Sequence, residues 1–379
     1  MPLDVPLDLA TLPPAVARVI APAAPAPMRT MAARGLLPGL RPEQIVTVLV
    51  VFALGDQPHI DDATRETAKE SLAKLAPQIR AGALAANELP AAVLDVLALA
   101  SLDDLPSIER VVMHPAVSPI TIHALAKRGS EAVTELVAVN EERLLAHPTI
   151  IEALYMNKRT RMSTADRVLD LAVRNGKTLA IPAFKEAAEA ILDELIAAPD
   201  PEPNPDDVLF REAQDAAEKI EAVGTEVFQE TDEGEEVLDE KVIPLEQRVR
   251  SMTISQKIRV AMLGTASTRA LLVRDKNRLV AAAVIRSPLI QDPEVASFAS
   301  SRSVSEDVLR MIGTNGEFTK SQQVKVNLVG NPKTPLAIAM RLLSHLRTDD
   351  LRKLSRSKNV TGQISRLAKQ EMEKRKPGA

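Results

Sequence analysis

Residues 271–290 read LLVRDKNRLVAAAVIRSPLI and residues 325–343 read KVNLVGNPKTPLAIAMRLL. In each, a short polar loop adjoins an apolar stretch whose spacing follows the helical period. A proline at the start of a helix is tolerated because the first amides have no intrahelical partner. The apolar positions Leu336, Ile338, Ala339, Leu342, Leu343 and Leu346 fall on one stripe. A single helix cannot bury such a stripe, so it must pack on neighbours.

The loop recurs along the chain. It appears as His114-Pro115-Ala116-Val117-Ser118-Pro119, Asn157-Lys158-Arg159-Thr160, Ser287-Pro288-Leu289-Ile290 and Asn331-Pro332-Lys333-Thr334-Pro335. The spacing is 43 residues between the first pair and 44 between the second. Val137–Leu145 also aligns with Leu272–Val280 at an offset of 135, which matches Asn140 to Asp275 and Arg143 to Arg278. A period of about 40–47 residues is that of the two- or three-helix units of HEAT and armadillo proteins. The fold class this implies is all-α, an α-α superhelix in two parts joined by an acidic linker.

The stretches at 271–290 and 325–343 resemble HEAT-like α-solenoids of the leucine-rich-variant type, and they also resemble a bacterial family of uncharacterised role. The resemblance spans roughly 108–175 and 252–370. Leucine-rich-variant proteins can carry a cysteine-ligated cluster near the N-terminus. This chain has no cysteine and departs from that pattern completely.

Composition agrees with packed helices. Hydrophobic residues make up 45% of the chain, yet there are only six Phe, one Tyr and no Trp. So few aromatics suit close helix packing better than a β-sandwich, and they leave little with which to stack nucleic-acid bases. The absence of cysteine excludes disulfides, thiolate nucleophiles and iron–sulfur ligation. The first residues, MPLDVPLDLATLPPAVARV, carry acids and prolines where a secretory leader carries a basic region and an apolar core. The longest apolar run, Ile45 to Leu54, has about half the length of a membrane span. The expectation is a cytoplasmic protein without a transmembrane segment.

A net charge of −4 conceals a strong asymmetry. Residues 1–197 carry −5, residues 198–245 carry −13 and residues 246–379 carry +14. The acidic part opens on the proline-rich stretch Ala198–Pro205, which denies helix continuation. Four regions follow from these changes: an N-terminal helical bundle or cap at 1–107, a first HEAT-like segment at 108–197, the acidic linker at 198–245 and a basic HEAT-like segment at 246–379. In the cap, Ala15–Ala21, Arg41–Leu54, Asp61–Ala76 and Pro90–Leu99 are helix candidates. In the linker, Asp206–Val223 reads as an amphipathic helix with Val208, Leu209, Ala213, Ala216, Ile220 and Val223 on one face. The run Glu226–Glu240 has few apolar anchors and is expected to lack regular structure.

Catalytic motifs are missing. The five histidines form neither HxxxH nor HExxH, so no helix face is set to ligate zinc. His114 and His147 precede prolines, where loop capping is the expected role. Neither a phosphate-binding glycine loop nor a nucleophile elbow is present. No enzyme activity, cofactor or metal is expected. A resemblance to HEAT-like alkyl-base DNA glycosylases would require aromatic and acidic groups in a basic groove, and the basic region offers only Phe298 and Phe318.

The cations of the basic region are the binding candidates. Arg274, Lys276 and Arg278, then Lys325 and Lys333, then Arg352, Lys353, Arg356 and Lys358 lie in or beside the loops, with Arg269 close to the first group. Equivalent positions in a stacked array fall along one edge, and a cationic edge attracts phosphate or an acidic protein surface. The function that follows is a binding scaffold with a protein partner. The alternative is sequence-nonspecific binding of nucleic acid through residues 246–379, modulated by the acidic linker. A segment of −13 tethered beside a region of +14 either folds back on it or serves as a solubilising spacer.

Overall fold

The computed structural model describes residues 4–55, 57–192, 194, 196, 198–224, 226–230, 236–357 and 360–375. The protein is 67% helical, so all-α architecture holds. Its contacts group into two compact units, Met1–Leu179 and Ala180–Ala379. The acidic residues 198–245 therefore fall within the second unit.

The first unit contains α1 (Pro14–Ile20), α2 (Ala26–Ala33), α3 (Pro42–Leu54), α4 (Asp62–Ala73), α5 (Pro77–Leu84), α6 (Ala91–Ala100), α7 (Leu105–Met113), α8 (Pro119–Arg128), α9 (Glu131–Ala138), α10 (Glu141–Ala146), α11 (Pro148–Met156) and α12 (Met162–Arg174). The helices α3, α6, α8 and α11 touch in that order, and α5, α7, α9 and α12 form a second row beside them.

In the second unit the order is α13 (Phe184–Ile191), α14 (Pro205–Val223), β1 (Phe228–Glu230), β2 (Glu236–Leu238), α15 (Ile243–Ser251), α16 (Ile254–Leu263), α17 (Ala266–Leu272), α18 (Arg278–Ile285), α19 (Asp292–Ser300), α20 (Glu306–Thr314), α21 (Gln322–Gly330), α22 (Leu336–Leu343), α23 (Thr348–Arg356) and α24 (Gly362–Lys374). One row runs α13, α16, α18, α20, α22, α24, and the other runs α14, α17, α19, α21.

Position in a row explains sequence character. In α18, Val280 to Ile285 are six consecutive buried residues, because α16, α20, α13 and α17 all pack against it. Each Val or Ile so buried contributes about 1.5–3 kcal/mol. Leu336 departs from the expected stripe and is exposed at the first position of α22, while Ile338, Ala339, Leu342 and Leu343 are buried.

The four recurring loops share one hydrogen-bond scheme. Asn331 is buried, and its Nδ2 donates to the carbonyls of Ala299 (2.9 Å) and Ser301 (2.8 Å) while its Oδ1 accepts from the amide of Lys333. Asn157 does the same toward Ala126 and Gly129, with Arg159 N–H as its donor. His114 Nδ1 accepts from Ala116 N–H, so Nε2 carries the proton and donates to the carbonyl of Ala86. Ser287 donates to the carbonyl of Met262 and accepts from Leu289 N–H. Each side chain thus closes its own turn and satisfies the end of a helix 25 to 32 residues upstream. His147 departs from expectation, since its side chain makes no capping bond to α11. Its proline alone starts the helix.

Gly129 and Gly264, related by the same offset of 135, end α8 and α16. A Cβ on Gly129 would lie 2.6 Å from Val133 Cγ1, and one on Gly264 would overlap Thr268 Oγ1. The next helix starts that close.

Two expectations for the acidic part need correction. The helix is present as α14, with Asn204 and Asp207 forming a reciprocal cap, but its buried face is Phe210, Ala213, Ala217 and Ile220. Val208 and Val223 are exposed. Phe210 sets the face because it is the largest apolar group at the 3- and 4-residue spacing. The run after it is not structureless: β1 and β2 pair antiparallel, Phe228 opposite Leu238 and Glu230 opposite Glu236. Residues 231–235 lie outside the described residues. Val227, Phe228, Val237 and Leu238 supply β-prone residues despite the surrounding acids.

Two outcomes test this packing. Asn331→Ala strips donors from two buried carbonyls and is expected to cost about 1–3 kcal/mol, read as a lower urea midpoint with unchanged helix content. An unshifted midpoint would show that the loop bond contributes nothing. Asp95 on α6 is buried and accepts from Thr121 Oγ1 at 2.8 Å. Burial pushes its carboxyl above the ordinary value, and the Thr121 bond offsets this only in part. A raised folded-state value destabilises the fold at neutral pH and ceases to do so as pH falls below the ordinary aspartate range. Asp95→Asn should therefore stabilise at pH 7, with the gain vanishing near pH 3; a gain independent of pH would refute the charge as its source.

Candidate functional site

The loop after α17 carries the first group of candidate cations. Val273 packs into the core, and the chain turns at Asp275, whose Oδ1 accepts from Asn277 N–H. Asn277 then caps α18 through Leu279 N–H. This tight turn presents Arg274, Lys276 and Arg278 on alternate positions toward a cleft of about 440 Å³. Ser303, Ser305, Asp307 and Arg310 line its other side, and Val273, Ala281, Ala282, Val308 and Met311 add apolar surface.

Within the cleft the charges are unequal partners. Asp275 is neutralised by Lys257 Nζ at 3.0 Å, and Arg310 is held by Glu306 (2.7 Å) and Asp307 (3.7 Å). Lys276 and Arg278 are exposed and make no ion pair among the described residues. Arg274 is largely covered, at 14% side-chain exposure. Its Nη1 donates to the carbonyl of Ala270, and its Nη2 donates to Glu236 Oε2 at 2.9 Å. The Phe228 ring lies against the guanidinium with its centroid 3.7 Å from Cζ.

Glu236 is the other half of this arrangement. The same Oε2 accepts from Ser301 Oγ at 2.8 Å and from Ser303 Oγ. Burial pushes its carboxyl up, but the hydrogen bonds from Ser303, Arg274 and Ser301 and the guanidinium charge outweigh this and hold it below the ordinary glutamate value. Because Glu236 sits opposite Glu230, it shares a hairpin face with Phe228, two residues along β1. The ring and the carboxylate therefore grip Arg274 together.

The α14 contact repeats this chemistry on a larger scale. Phe210 of α14 lies under the guanidinium of Arg259, a fully buried residue of α16, at 4.9 Å. Helix α14 also packs on α15 and α17. An exposed pair, Arg248 with Glu212 at 3.4 Å, adds little. Two of the six phenylalanines thus fasten acidic elements to arginines of the basic region.

The remaining candidates are dispersed. Lys325 is half-buried on α21. Lys333 lines a second recess with Asn331, Thr334 and Thr361. On α23, Arg352 pairs with Asp349 at 2.8 Å, and Lys353 and Arg356 are exposed. Lys358 lies outside the described residues. Arg269 is not a binding residue. It is 4% exposed, donates twice to Glu294 (2.8 and 3.0 Å) and once to the carbonyl of Gly264, so it joins α17 to α19. Sequence reading missed Ser301, Ser303 and Arg310. The serines gave no signal, and only the period of the loops could have aligned Arg310 with the cleft.

Among the described residues no helix is long and apolar enough to cross a membrane, and no three His, Asp or Glu side chains converge on a metal position. No protein-family model matches the chain, and no curated protein or solved structure matches it either.

Proposed function

We propose that the protein is a non-enzymatic cytoplasmic scaffold, built of HEAT-like α-solenoid segments, that engages an acidic stretch of a protein partner through its basic C-terminal part. The hold on Glu236 carries this reading. A strand-borne carboxylate is received by one guanidinium and two hydroxyls, which is how a peptide side chain would be recognised. Charge-assisted bonds of this kind are each worth about 1.5–3 kcal/mol. Lys276 and Arg278 line the same cleft, and they offer more positive charge than one carboxylate uses. The two rows of helices and the shared loop bonds support the solenoid assignment.

Nucleic-acid binding is the second reading, favoured by exposed Lys353 and Arg356 on α23. It would have to rest on phosphates alone. Phe298 is buried and Phe210 and Phe228 are engaged with arginines, which leaves no ring among these three to stack a base.

The two separate in a titration, to saturation, with a fluorescent glutamate-rich peptide and with a duplex DNA, at low and at physiological salt. Replacing Arg274, Lys276 and Arg278 with Ala is expected to weaken the peptide about tenfold or more, and replacing Arg352, Lys353, Arg356 and Lys358 with Ala to change it less than about twofold. Equal peptide affinity in wild type and the first variant would sink the scaffold reading. Tighter DNA binding, lost and with a flatter salt slope in the second variant, would transfer the function to nucleic acid.

A further inference from the structure

We infer that the Arg274 cleft recognises, in a partner, an extended segment that presents an acidic side chain and an aromatic ring on one face, and that the β1–β2 hairpin is its resident competitor. The inference rests on the proposed acidic-segment function and adds both the shape of the ligand and the control of the site.

The hairpin already displays that ligand. Phe228 covers the guanidinium at 3.7 Å while Glu236 accepts from its edge at 2.9 Å. Arginine suits the pairing because a planar guanidinium stacks through its face and donates in its plane simultaneously. Ser301 and Ser303 complete the carboxylate's shell from the loop after α19. The hairpin itself is a weak structure. Two strands of three residues are not stable alone, so its placement depends on the cleft.

Its tethers are firm, by contrast. Before it, α14 is fixed by Phe210, Ala213, Ala217 and Ile220 and ends at Val223, five residues from Phe228. After it, Val242 and Leu245 are fully buried within a few residues of Leu238. A released hairpin therefore stays beside the cleft at a local concentration on the order of millimolar. An incoming segment finds the Arg274 guanidinium and the two serine hydroxyls already engaged by the hairpin, and its apparent affinity falls by the fraction of time these groups are free. Among the described residues Lys276 and Arg278 make no ion pair, and they line the cleft together with Arg274. A partner with further acids can engage them, which gives it the advantage needed to displace Glu236.

The test uses the full-length protein and a labelled synthetic peptide copying residues 226–240, added in trans. Glu236→Lys repels Arg274 and frees its guanidinium and the two serine hydroxyls. Phe228→Ala loosens the hairpin without changing charge. Both should bind the peptide about tenfold or more tightly than wild type, with the gain shrinking as salt rises, and Arg274→Ala in either background should abolish it. Circular dichroism should show unchanged helicity, because neither position lies in a helix. Arg274-dependent binding of equal strength in wild type and both variants would leave the acidic-segment site standing and overturn the competitor. A gain that survives Arg274→Ala, or one confined to Glu236→Lys, would overturn the assignment of the cleft. Absence of binding in every protein would overturn the inference and the proposed function together.

Discussion

The structure depends on a single kind of bond made where helices end. The last carbonyls of a helix have no intrahelical donor, and those of Ala126, Gly129, Ala299 and Ser301 belong to buried residues. Asn331, Asn157, His114 and Ser287 solve this from the following loop. Each is short, and each combines a donor for the distant carbonyl with an acceptor for its own turn. An amide has both groups, a neutral imidazole has one of each, and a hydroxyl oxygen serves as both. Three residue types therefore serve at one position, and the motif shows in sequence as a loose pattern, polar-proline in three loops and Asn-Lys-Arg-Thr in the fourth.

That chemistry also sets what could be read from sequence. The loops were visible because their spacing is regular and prolines mark three of the four, and the apolar stretches between them have helical length. The face of α14 was misread because Phe210 was passed over in favour of Val208 and Val223, although 210, 213, 217 and 220 follow the helical period closely. The hairpin was invisible for a different reason. Its partners Arg274, Ser301 and Ser303 lie 38 to 67 residues further on, and no local property of Glu226–Glu240 reports them. Arg269 shows the reverse error, a loop cation that turned out to be a buried brace to Glu294. Charge counts locate a basic region, but they do not separate cations that hold the fold from those that face a ligand.

The acidic stretch is an integral part of the second unit, and attraction between net charges does not account for it. Such attraction falls off within about 8–10 Å at physiological salt and selects no orientation. Orientation comes from rings. Phe210 against Arg259 and Phe228 against Arg274 use the negative face of an aromatic ring to cover a guanidinium. In a chain so poor in aromatics, each such ring specifies a place. Acids on the outward side of α14, including Asp215 and Glu218, remain exposed and keep the surface hydrated.

Glu236 has one further property by virtue of where its donors sit. Arg274 follows α17, whereas Ser301 and Ser303 follow α19, so one carboxylate oxygen ties two successive loops of the stack. Its bonds close only while those loops keep their distance, and hydrogen bonds weaken within a few tenths of an ångström beyond 3 Å. Any occupant of that position acts as a strut across the joint between two helix pairs. A carboxylate seated there ties the loop after α17 to the loop after α19, so occupancy of the position and the spacing of the two loops constrain each other.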